Sequence, residues 1–112
     1  MPPVQVVRAL VETELARMPD ALLREALRTL LVEPQLQQRD FPEGPPGARY
    51  PTWLVAQSRD FPIGLAYSEL GFGPSTPWGY VSVNHLSLGD HSQWHATLDG
   101  AFKASGIWRR ES

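Results

Sequence analysis

The chain has 112 residues, 42 % apolar and 20 % charged, with a formal net charge of −2 and no cysteine. That length matches one globular domain with a single modest core, and the missing thiols exclude disulfides, thiolate nucleophiles and cysteine-bound metals. Five arginines face six carboxylates in residues 1–40, and five basic face six acidic side chains in the remainder. Neither part supplies the positive field that phosphates need, so nucleic acid is not an expected partner.

The opening MPPVQVVRALVETELARM lacks a basic region followed by an unbroken apolar segment, so it does not read as a secretory signal. No apolar run is long enough to cross a bilayer. The expectation is a cytoplasmic protein with no membrane partner. Nine of the ten basic residues are arginine, a bias consistent with a GC-rich bacterial coding sequence.

Pro2 and Pro3 suit a helix start, where the first N–H groups have no intrahelical partner. Val4, Val7, Leu10, Val11, Leu15 and Met18 then recur at three- and four-residue spacing, predicting an amphipathic helix over 3–18. Pro19 interrupts the pattern and opens a second helix. Leu23, Ala26, Leu27, Leu30 and Leu31 line one side of it, and Pro34 closes it. Residues 3–33 therefore read as a helical pair. Its apolar residues Leu22, Leu27 and Leu31 spread over more than one side, enough to bury against a second copy of the chain. Arg24 and Arg28 stand four apart, a mildly repulsive pair if both are exposed.

Residues 34–51, PQLQQRDFPEGPPGARYP, carry five prolines and two glycines. They predict an extended surface connector, with Phe41 and Tyr50 pinning it down. Strand periodicity follows over 52–88. TWLVAQS sets Trp53, Val55 and Gln57 against Leu54 and Ala56. IGLAYSEL sets Ile63, Leu65 and Tyr67 against the smaller Gly64, Ala66 and Ser68, a face that another backbone can approach closely. WGYVSVNHL sets Val81, Val83 and His85 against Tyr80, Ser82 and Asn84. Three successive strands predict an antiparallel meander. SLGDHSQWHA reads as a polar connector, and Thr97 caps a short helix over 97–105 that Gly106 ends. The fold class is α+β: one domain, 1–112, with the helical pair on an antiparallel sheet of three or more strands and a short C-terminal helix.

Between the second and third strands lies GFGPSTPWGY. A phosphate loop is ruled out, because the third glycine is missing, no helix follows and Pro74 removes a donor. What remains is a stiff hairpin loop that presents Phe72, Trp78 and Tyr80, aromatic anchors that lose little entropy on binding. The four tryptophans, Trp53, Trp78, Trp94 and Trp108, read as core and lid residues.

His85, Asp90, His91 and His95 form the other constellation. A helical HSQWH would put His91 and His95 on one face, with Asp90 or His85 as third ligand of a divalent metal, although the spacing matches no established motif. Ser82 or Ser87 with His85 and Asp90 would lack a nucleophile elbow, and Glu69 with Asp90 is an ordinary pair of acids. The residues favour a non-enzymatic protein-binding factor of accessory, inhibitor or immunity type, with a protein partner or itself and no cofactor. A small-molecule or metal site around His85, Asp90, His91 and His95 is the alternative.

Overall fold

The computed structural model describes residues 3–111, and of Arg110 and Glu111 the backbone alone. Pro2 lies outside the described residues. The class is α+β. Helix α1 (Val4–Arg17) begins after Pro3, and α2 (Ala21–Leu30) begins after Asp20, whose carboxylate accepts the Leu22 and Leu23 N–H groups at 2.9 and 3.2 Å. Asp20, not Pro19, is thus the start signal. Arg24 and Arg28 avoid mutual repulsion by using separate partners, the Met18 carbonyl at 3.1 Å and Glu12 at 3.4 Å. Both contacts tie α2 back to α1.

The sheet has five antiparallel strands in chain order: β1 (Leu31–Asp40), β2 (Arg49–Gln57), β3 (Ile63–Tyr67), β4 (Trp78–Ser82) and β5 (Trp94–His95). Two expected boundaries are corrected. The helical pair stops at Leu30, and the first ten residues after it form an edge strand, so the connector shrinks to 41–48. Pro34 is tolerated because β1 is an edge and its register shifts between Leu31 and Gln35. The third predicted strand ends at Ser82, and His85 lies beyond it in an irregular segment.

A second register shift, between Leu54 and Ala56, puts one extra residue in β2. Ala56 therefore joins Trp53 and Val55 on the same face, where strict alternation placed it opposite.

That face carries the main core. Val7, Val11 and Leu15 of α1 and Leu27 and Leu30 of α2 pack on Val55, Leu65, Tyr67 and Trp78. Helix α3 (Leu98–Ser105) adds Leu98, Ala101 and Phe102. Thr97 Oγ1 caps α3 by accepting the Gly100 N–H at 3.0 Å, and Gly106 ends it at φ 75°. Ile107 turns into this core, and a last helical turn, α4 (Trp108–Glu111), follows.

The opposite face has its own core of Leu54, Ala66, Val81, Leu88 and Trp94, covered by loops. Its geometry depends on curling. In a flat sheet β1 and β4 would stand roughly 14 Å apart, three strand spacings. Yet Arg39 Nη1 of β1 donates to the Ser82 carbonyl of β4 at 3.0 Å. The sheet is curled enough for one side chain to bridge both. The segment after β4 completes the closure, since the Asp40 N–H donates to the Leu86 carbonyl and the Leu88 N–H to the Asp40 carbonyl, each at 2.8 Å. Among the described residues, no helix is long and apolar enough to cross a membrane.

Candidate functional site: an aromatic patch at the loop-covered face

The site grows from three loops anchored on the curled sheet. The first, residues 41–48, leaves β1 through Phe41, whose N–H donates to the Ala48 carbonyl at 2.9 Å and closes the loop on itself. Its prolines Pro42, Pro45 and Pro46 are exposed and line a shallow depression of about 460 Å³ with Phe41 and Gly44. The second is the GFGPSTPWGY hairpin, a wide loop as its composition predicts. Ser68 N–H donates to the Pro77 carbonyl at 2.8 Å across its base, and Gly71 and Gly73 take φ of 72° and 96°. Those angles need glycine.

The third loop, 83–93, is fixed by Arg39. This arginine is fully buried, and its guanidinium donates to the carbonyls of Ser82, His85 and Ser87, each at 3.0 Å, and to Gln37 Oε1 at 2.7 and 3.1 Å. Burial lowers its pKa. Nothing in the sequence distinguishes it from the solvated arginines, and it was missed there. The loop then turns through a 3₁₀ turn, His91–Gln93, capped by Asp90, which accepts the Ser92 N–H at 2.9 Å and also the Ser92 hydroxyl. These hydrogen bonds hold the Asp90 carboxyl below its ordinary range. Trp94 closes the face: its Nε1 donates to the Leu88 carbonyl at 2.7 Å, and its indole covers Gly79, where a Cβ would intrude on the ring.

Half-buried rings from the first two loops and the start of β2 meet above this core. Phe41 packs edge-on against Phe72 with ring centroids 4.9 Å apart, and Tyr50 lies 5.5 Å from Phe41. The exposed His91 ring adds a fourth member at 5.7 Å from Phe72. The main-chain N–H of His91 donates to Glu43 Oε2 at 3.0 Å, joining the first loop to the third.

Of the residues expected to present themselves together, Phe72 belongs to this patch. Trp78 does not: it is 3 % exposed in the main core, 4.7 Å from the Tyr67 ring. Tyr80 is half-buried on the helix side, stacked near His95 at 6.5 Å. The reason is strand alternation, which sends Trp78 and Tyr80 of β4 toward the helices and Gly79 and Val81 toward the loops. Phe41 and Tyr50, read in the sequence as pins for the connector, supply the other two rings. Trp53 and Trp94 are buried and Trp108 is half-buried, donating from Nε1 to the Lys103 carbonyl at 3.0 Å.

The proposed metal ligands are not brought together. His85 is exposed in the 83–93 loop, Asp90 and His91 lie at the patch, and His95 faces α3 beside Trp78 in the pairing register. HSQWH is a 3₁₀ turn followed by a strand, so the four-residue spacing does not align two imidazoles. Among the described residues, no group of three histidine or carboxylate side chains is placed to hold a metal ion. The hydroxyls of Ser82 and Ser87 accept the N–H groups of Asn84 and Gly89, at 3.1 and 3.0 Å, serving loop geometry.

No family model, no curated protein and no solved structure matches this chain.

Proposed function

We propose that this chain is a non-enzymatic protein-binding factor, of accessory, inhibitor or immunity type, and that Phe41, Tyr50 and Phe72 are its contact surface. The observation that carries this reading is the convergence of three partly exposed aromatic rings from separate segments on one patch. Partly exposed aromatics on a stiff scaffold are characteristic anchors of protein interfaces, because they offer large apolar area with few rotamers to freeze. Each ring here is held by a closed loop or by a strand, so little ordering remains to oppose binding. A reading built on His85, Asp90, His91 and His95 has no comparable support, since those side chains stand apart.

A photo-crosslinking residue at Pro46, beside the patch, tests this in cells. The control position is Leu22, 84 % exposed on α2. A discrete protein adduct from position 46 that is absent from position 22, and that is lost on Phe72→Ala, is the expected result. Identical adducts from both positions, or adducts indifferent to Phe72→Ala, would refute the assignment.

A further inference from the structure

The patch has a charge as well as a shape. Glu43 reaches its rim through the main-chain N–H of His91, and Asp90 is exposed at the preceding position in the chain. Asp40, just before Phe41, keeps its side chain 66 % exposed while pairing with Arg49 Nε at 3.1 Å. Over the segments 40–50 and 90–94 there are thus three carboxylates and one guanidinium, with no lysine. Phe41, Tyr50 and Phe72 lie on the same surface, and a cation that reaches the face of such a ring meets the negative side of its quadrupole.

Building on the protein-binding reading above, we infer that the partner presents a cationic segment to this patch: an extended stretch in which arginine or lysine alternates with proline or aliphatic residues. The rings accept the apolar residues and the flat of a guanidinium. Glu43 and Asp90 take its charge at the rim. A neutral apolar segment would use the rings and leave both carboxylates without an interfacial counter-charge. An acidic one would be repelled.

The test uses the intact chain and defined probes. Three N-acetylated, C-amidated hexapeptides are titrated into isotope-labelled protein and followed by amide chemical shifts: Pro-Arg-Pro-Pro-Arg-Pro, its Leu counterpart and its Glu counterpart. The expected result is a saturable response to the Arg peptide, confined to residues 40–50, 71–73 and 89–93. Affinity should fall on raising salt from about 50 to about 300 mM. The double variant Glu43→Gln/Asp90→Asn keeps an acceptor for the His91 and Ser92 N–H groups and so keeps the loops. It should weaken the Arg peptide by about threefold or more. Equal binding of the Leu peptide, or no effect of the double variant, would overturn the cationic inference while leaving a protein-binding patch. No response to any peptide would overturn it too. The adduct from position 46 reports separately on whether the patch meets a protein at all.

Discussion

Arg39 carries a positive charge into a fully buried place where, among the described residues, no carboxylate pairs with it. Three main-chain carbonyls and one amide oxygen replace the lost solvation, an arrangement that suits the fork of a guanidinium and not the point charge of an ammonium. Removing it strands those acceptors, each a cost of about 1–3 kcal/mol when buried and unpaired. Arg39→Ala should therefore lose about 3 kcal/mol or more in urea denaturation, and Arg39→Lys should recover little of it. In the sequence this residue is invisible: QLQQRD reads as polar edge, and only the curl of the sheet turns Arg39 inward. Tyr67 makes a second prediction at this scale. Burial first, then the charge of Glu69 and a hydrogen bond to it, push its phenol up to about 12. The unfolded chain gives up that proton near the ordinary value of 10.0, so the folded state is the tighter proton holder. Stability is unaffected below pH 10 and declines as pH rises from there through 12. Phenolate absorbance should show one of the three tyrosines titrating late, and Glu69→Gln should bring it earlier.

Among the elements, those with strong local grammar were legible. The apolar spacing of α1, the Thr97 cap and the Gly106 stop all stand where the sequence puts them. Elements decided by distant partners were not. β1 is a strand because β2 offers it a ladder, in spite of Pro34 and three glutamines. The extra residue in β2 has no local marker, yet it moves Ala56 to the helix side. The aromatic patch was half legible. Phe72 reads as a contact residue and Phe41 and Tyr50 as pins, but their meeting depends on the β1–β2 pairing and on the path of the 68–77 loop over the same face, which no local signal gives. Glu14 gives this scale its prediction. It is 9 % exposed on α1, and its Oε1 accepts the Leu98 N–H of α3 at 2.9 Å. It thereby satisfies one free donor of a helix start and places a carboxylate at the favourable end of the dipole. Glu14→Ala should cost about 1–3 kcal/mol. The amides of α3 should show the largest rise in hydrogen exchange.

For the whole molecule, the governing feature is closure of the sheet against the segment that follows β4. The outer rim of β1 is occupied at Asp40 by Leu86 and Leu88, and the Gln38 carbonyl accepts from Arg49 Nη2 at 3.1 Å. With Pro34 nearer its start, the strand offers a stranger little to pair with. The amides of Asp40 and Leu88 should therefore exchange as slowly as those in the centre of β2 and β3. If instead they exchange like loop amides, closure is not part of the stable fold. In Arg39→Ala they should be the first to lose protection, because the buried guanidinium holds the returning segment.

Glu14 joined to Leu98 has a consequence for how the protein is made. A ribosome delivers the first helix long before the residue whose amide it must cap, and strand β1 long before the segment that seals its rim. Neither the early helices nor the nascent sheet can finish their cores alone, so productive collapse waits until α3 has emerged. During that interval the leucines and valines of α1 and α2 stand unsheltered, and slow translation of the stretch between α2 and α3 should lower the yield of native protein.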